Sequence, residues 1–324
     1  MSILRIATSR ADITTFGGVM TTDGSKFDNT RVAEAYQLAA GKIASLGFDA
    51  AAGTTTWLHW VVTVDIAAVN QTLYDQPIAT VRDAGSNDIF QMQLDNTLMS
   101  FFARGDTVVE SGGTLIPNGT PITVDVEIIV TGTTDIRVSA YVGGALQFQQ
   151  TVLNTLGKTN PTSLEISNPI DAVEPTVYGS EIIVADEDTR GFRLRELKPQ
   201  SFGVFKQWDG TVASVVDDSL ATGVSTDVLN ERVSFGLSNL DNISGGDIIN
   251  RIVIQSHAQR GASGLASMNH FFRYEGGTTQ DGADISLGLF GEWYMDEYLT
   301  NPDTAATWLP ADLAGIQMGV RART

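Results

Sequence analysis

The chain of 324 residues contains no cysteine, which excludes a disulfide framework, thiolate metal ligation and a cysteine nucleophile. Stability therefore has to come from packed cores and subunit contacts. Histidine is almost as scarce, with only His59, His257 and His270. None stands at i,i+4 from another or beside a Gly-x-Ser-x-Gly elbow, so spacing selects no Ser-His-Asp set, although such sets assemble across folds. Basic residues number 20 against 38 acidic, a net charge of −18 that repels phosphate backbones and anionic lipid. Nucleic acid is not an expected partner. A run of about 18 apolar residues that could span a bilayer is missing too, so no membrane insertion is expected. Met1-Ser-Ile-Leu-Arg5 lacks the apolar core of a signal peptide, which leads to the expectation that the chain is made in the cytoplasm. Heptads and short-period repeats are absent, which argues against coiled-coil shafts and solenoids.

What is present points to strands. Glycine occurs 32 times, Thr and Val are frequent, and a 42% hydrophobic, 18% charged composition suits a globular, all-β chain. Residues 57–65, Trp-Leu-His-Trp-Val-Val-Thr-Val-Asp, read as a central strand covered on both faces. Ahead of them, Ala39-Ala40-Gly41 splits residues 31–48 into two strands. Turn signals separate residues 76–82, 89–94, 97–104 and 107–110 into a meander of hairpins, and residues 124–130, 135–142 and 145–149 into a further set. Residues 154–176 read as a loop region with one short strand at 163–166. A buried strand at 181–185 then runs into the acidic turn Asp186-Glu187-Asp188 and out through Gly191 into a strand with basic exposed positions. About a dozen strands fit a two-sheet sandwich of jelly-roll size. Pro199 and Gly203 mark a junction, placing a boundary near residue 205: a first sandwich over 1–205 and a smaller one over 206–324. Residues 301–313, with Asn-Pro and Pro310, read as a loop and one short helical turn.

Few residues invite chemistry. Asp186, Glu187 and Asp188 could supply oxygens to a Ca²⁺ ion, but neighbours on extended backbone point to opposite faces. A charged turn paired with Arg190, Arg193 or Arg195 is the favoured reading. Asp125 and Glu127 share a strand face, as the two carboxylates of sandwich-fold glycosidases do. The further acid of a Glu-x-Asp-x-x-Glu motif is lacking, since position 123 is Thr and 128 is Ile, so an outward polar face is expected. Trp57 and Trp60 fall on opposite faces of one strand and read as core. Trp208 and Trp308, in loop-like contexts, are the candidates for a ligand or interface surface. No cofactor is expected.

Three stretches carry a resemblance. Arg137-Val-Ser-Ala-Tyr-Val-Gly-Gly-Ala-Leu146 resembles the strand, Tyr-Val, glycine turn and next strand of concanavalin-like and laminin-G-like domains. Residues 178–197 resemble their closing strand with the acidic turn of bacteriophage versions. Residues 292–320, with Asn301-Pro-Asp-Thr and Gly319-Val320, are similar to the ending of tailed-bacteriophage structural proteins. The resemblance implies a concanavalin-like jelly roll followed by a smaller sandwich, in a non-enzymatic virion protein of a tail tip, fibre or head decoration. It also implies other virion proteins as partners, a homo-oligomer with a trimer favoured, and a role in attachment to host-surface glycan. The alternative on the same scaffold is a carbohydrate-binding module or a glycoside-active enzyme.

Overall fold

The computed structural model describes residues 2–65, 76–95, 98–111, 113–115, 117–168, 175–217, 219–238, 243, 245–262 and 264–324. It divides into two compact units, Met1–Glu196 and Leu197–Thr324. Among the described residues, no helix is long and apolar enough to cross a membrane.

The first unit opens with β1 (Ile3–Ala7), β2 (Thr15–Phe16), β3 (Val19–Thr21), β4 (Ala35–Leu38), β5 (Ile43–Gly47) and β6 (Thr55–Asp65). A meander follows: β7 (Gln76–Asp83), β8 (Asp88–Asp95), β9 (Leu98–Arg104), β10 (Val108–Glu110) and β11 (Thr114–Leu115). The unit is completed by β12 (Ile122–Thr131), β13 (Asp135–Val142), β14 (Ala145–Leu153), β15 (Pro161–Ser167) and β16 (Thr176–Ala185). Two antiparallel sheets result. One runs β14-β13-β12-β6-β16-β4-β3 with β1 on β16, the other β10-β9-β8-β7-β15-β5-β2 with β11 on β9. This is the expected jelly-roll sandwich. Its core follows the alternation of β6: Leu58, Trp60, Val62 and Val64 pack in one cluster with Ile78, Val81, Phe90 and Met92 of the facing sheet, all buried, the odd spacing of Ile78 and Val81 reflecting a bulge in β7. The opposite parity of β6, namely Trp57, His59 and Val61, is also buried, because the chain covers that outer face as well.

The second unit holds β17 (Pro199–Lys206), the short helix α1 (Ala213–Val216), β18 (Arg232–Leu237), β19 (Ile252–Ala258), β20 (Ser267–Arg273) and β21 (Thr279–Asp281). It ends with β22 (Ile285–Ser286), β23 (Glu292–Tyr298), a 3₁₀ turn at Pro310–Leu313 and β24 (Gln317–Arg323). A sheet β17-β18-β24-β20-β21, with β22 on β20, faces the two-stranded ribbon β19-β23. Phe272, Ile252, Trp308, Leu313 and Ile316 form the core of this smaller sandwich.

The chain divides after Glu196, and residue 205 falls inside β17. Gly203 is not a linker glycine: a Cβ there would lie 2.1 Å from Gln317 Oε1 and 2.5 Å from Ser234 Oγ. Those two side chains accept the N–H groups of Val204 and Phe205 where the β17–β18 ladder slips. Glycine here marks a close approach within a bulged strand, a pattern that reads as a breaker in sequence.

Candidate functional sites

The first candidate is the outer face of β6, β12 and β16. Residues 186–196 leave β16 and run across that face as an irregular strap. The expected second strand after Gly191 does not form. Phe192 instead closes a turn on Thr189, and Glu196 bonds the backbone of Arg31, so the segment is held by contacts scattered along the unit rather than by a ladder. Beneath the strap, His59 Nδ1 lies 2.8 Å from Asp125 Oδ1, and Thr189 of the strap donates to the same oxygen at 2.9 Å. All three residues are completely buried. Asp125 is therefore not on the solvated outer face that strand alternation suggests; the strap makes that face a second interior. Glu127 is pinned by Arg137 and Ser139. Trp57 stacks on Tyr141, and Arg190 lies over both rings, 4.6 Å from the Tyr141 centroid.

Glu181 closes the same region. It sits in a bulge of β16 with φ 50°, a left-handed backbone conformation that side chains rarely adopt. Burial pushes its carboxyl up, against the opposite pull of His59 and Arg31. A carboxyl with a raised folded pKa contributes stability that is full below its unfolded pKa, about 4.3, and is lost as pH rises through the folded value. Glu181→Gln is accordingly expected to melt above the wild type at pH 7. The gap should close at pH 4, and a gap unchanged between the two pH values would contradict this reading.

The acidic turn does not gather around an ion. Asp186 accepts the backbone N–H of Ser2 at 2.5 Å. Glu187 is buried, and Asp188 is engaged by the Arg190 guanidinium, which holds its carboxyl below the usual range. Among the described residues, no group of three or more His, Asp or Glu side chains is placed to hold a metal ion. The expected pairing with Arg190 is present, an exposed pair of the kind worth about 0–1 kcal/mol.

The second candidate lies in the smaller sandwich. Ser256 Oγ is 2.8 Å from His270 Nε2, and His270 Nδ1 is 2.8 Å from Asp296 Oδ2. The three come from three strands. Ser256 on β19 and Asp296 on β23 share the ribbon face that carries Ile252, Ile254 and Tyr298, and His270 on β20 rises from the opposing sheet between Met268 and Phe272. Because a carboxylate only accepts, Nδ1 carries the proton toward Asp296, and Nε2 is left to accept the serine O–H. That is the hydrogen-bond order of a serine hydrolase.

Trp308 is not a surface residue. It is 2% exposed, packs on Phe272 at 5.4 Å, and donates its indole N–H to the carbonyl of Tyr298. The loop around it is a core plug, closed by Asn301 and the 3₁₀ turn. Trp208 is half-buried just after β17, beside the bridge between Asp209 and Ser225.

The third candidate is an edge. β14, Ala145-Leu-Gln-Phe-Gln-Gln-Thr-Val-Leu153, is the last strand of its sheet and has no charged residue and no proline. Phe148 and Val152 point inward, while Leu146 (52%) and Leu153 (61%) are exposed. Leu115 (72%) faces Leu98 across the β11–β9 pair, and Thr114 of β11 donates to Gln147 of β14. At the other end Leu156 (73%) follows β14, its N–H bonded to Asp106. Exposed leucines thus lie at both ends of one uncharged edge strand. Composition does not single it out, since residues 13–22, 50–64 and 111–124 are uncharged as well.

No family model matches the chain, and no curated protein does. Among solved structures, it is similar to the botulinum neurotoxin serotype G binding domain, at 8% identity and a TM-score of 0.40 over 57% of this chain and 47% of that one. Endo-β-1,4-glucuronan lyase from the fungus Trichoderma reesei matches at 10% and 0.41, over 57% and 95%. The cellulose-induced protein Cip1 matches at 12% and 0.38, over 56% and 92%. The chain spans about half the length of the neurotoxin domain. The likeness in each case is one of fold.

Proposed function

We propose that the chain is a self-associating structural protein of a tailed-bacteriophage virion. The observation that supports this reading is the β14 edge, whose last carbonyl, that of Leu153, accepts the N–H of Asp106 while no strand pairs along the rest among the described residues. Monomeric sandwiches blunt such edges with lysine, proline or a cover, because an open row of backbone N–H and C=O groups templates pairing with another chain. β14 carries one bulge, at Gln147, and otherwise offers an uncharged row with Leu146, Leu153 and Leu156 exposed along it. In a molecule of charge −18, two copies repel almost everywhere except at such a strip. The occupant is therefore a second copy, paired β14 to β14 about a two-fold axis near Gln149. Such an isologous contact favours dimers, or assemblies built from dimers, over the trimer expected from sequence. The resemblance of residues 178–197 and 292–320 to phage proteins, and of 137–146 to concanavalin-like and laminin-G-like domains, supports reading that assembly as a virion.

Gln147 is the bulged residue, so the regular pairing at the axis is Gln149 against its own copy, and Gln149→Lys sets like charges opposite one another. Sedimentation equilibrium should show a self-associating wild type and a Gln149→Lys variant weakened by about 5-fold, from one unfavourable pair of up to about 1 kcal/mol. Equal association of the two proteins would remove the edge from the account.

A further inference from the structure

We propose that Ser256, His270 and Asp296 form an acyl-hydrolase centre acting on small, neutral carboxylic esters. The distances of 2.8 Å on either side of the His270 ring place nucleophile, base and positioning carboxylate in series. His270 is fully buried, so its ring is fixed by packing between the ribbon and the sheet. Asp296 holds the Nδ1–H tautomer, which is the one that leaves Nε2 free to take a proton from Ser256. Beside Asp296, burial holds the Tyr298 hydroxyl protonated well above the usual tyrosine range.

In the reaction, Ser256 Oγ bonds to the ester carbonyl carbon while its proton passes to His270 Nε2. Collapse of the tetrahedral adduct breaks the carbon–oxygen bond to the alcohol, which leaves with the proton from Nε2. Water then adds to the acyl carbon, giving one proton to Nε2, and Ser256 departs with it. Ester and water become acid and alcohol, with no other reactant.

The surroundings set the substrate class. Ser256 lies directly across the ladder from Tyr294, whose hydroxyl accepts the N–H of Gly288 and donates toward Glu292. That ties the site to the loop bearing Leu289 (52% exposed) and Phe290 (81%), an apolar surface that suits an uncharged ester. Glu292 and Asp296 on the same ribbon, within a chain of −18, disfavour anionic substrates. The half-buried position of Ser256 between the ribbon and β20 favours a small acyl group.

The test uses the full chain and a biotinylated fluorophosphonate, with peptide mapping by mass spectrometry, alongside hydrolysis of p-nitrophenyl acetate. Covalent label on Ser256 and turnover abolished by that label are expected. Ser256→Ala, checked for an unchanged circular dichroism spectrum, should lose both, with turnover falling roughly 1,000-fold. Asp296→Asn should lower kcat with little change in KM and displace the acidic limb of the pH profile, which a purely structural carboxylate would not do. No label on Ser256 of the wild-type protein, or turnover that survives in Ser256→Ala, overturns the proposal. Wild-type labelling is decisive even if a variant fails to fold. Neither outcome touches the β14 edge, whose test is association.

Discussion

Asp125→Ala is expected to destabilise the first unit by about 3–5 kcal/mol, the range for removing one partner of a buried pair. The size follows from what is left behind. His59 and Thr189 are both completely buried and both direct a hydrogen-bond donor at Asp125 Oδ1. Removing the acceptor leaves two donors unsatisfied under the strap, where no solvent replaces it. Asp125→Asn keeps shape and one acceptor, so it should lose less than half as much. Hydrogen exchange of β6 and β12 in the full chain checks this, since those strands carry the pair. A loss below about 1 kcal/mol would mean that the strap is loosely held and that Asp125 faces solvent.

Trp308→Ala should unfold the smaller sandwich while leaving the first unit intact. Truncating a buried tryptophan typically removes about 3–5 kcal/mol, and the cluster around Trp308 is small, with Ile252, Phe272, Leu313 and Ile316 as its other buried members among the described residues. Small cores have little reserve. The indole also supplies the hydrogen bond to the Tyr298 carbonyl at the end of β23, so its loss loosens the ribbon that carries Asp296. Limited proteolysis followed by mass analysis reads the result: a protected fragment ending near Glu196 and rapid loss of residues 197–324. Equal resistance in the variant and the wild type would return Trp308 to the surface.

Much of the first sandwich was legible because its strands announce themselves. Residues 57–65 are β-branched or aromatic almost throughout, Ala39-Ala40-Gly41 separates β4 from β5, and Gly143-Gly144 turns β13 into β14 at positive φ. Each of these is a local signal. The strap was not legible, because what makes residues 186–196 a cover is their contact with Asp125, Tyr141 and Arg31, which lie more than 40 positions earlier. Local pattern saw alternating Arg after Gly191 and read a strand. Trp308 was missed for the opposite reason. Asn301-Pro302 and Pro310 make irregular backbone, and irregular backbone was equated with surface, yet Leu313 and Ile316 just beyond it are the apolar signal that the loop returns to the core.

The Ser256–His270–Asp296 relay shows the same limit in a sharper form. Ser256 and His270 are 14 positions apart and His270 and Asp296 are 26 apart, on strands of two different sheets. No spacing rule reaches such a set. Only the face-to-face packing of the β19–β23 ribbon on β20 brings it together. The β14 edge was not legible either: uncharged runs longer than this strand occur elsewhere, and only the sheet order makes β14 a terminal strand with exposed leucines at both ends.

The most direct test of the proposed structural role is immunogold cryo-electron microscopy on bacteriophage particles purified from cells that express the chain, with antibody raised against the isolated protein. A virion component labels the particles at fixed positions, at one vertex for a tail protein and over the whole shell for a head decoration. Particles that carry no label, in preparations where the chain is recovered only from the soluble fraction of the lysate, would contradict the account.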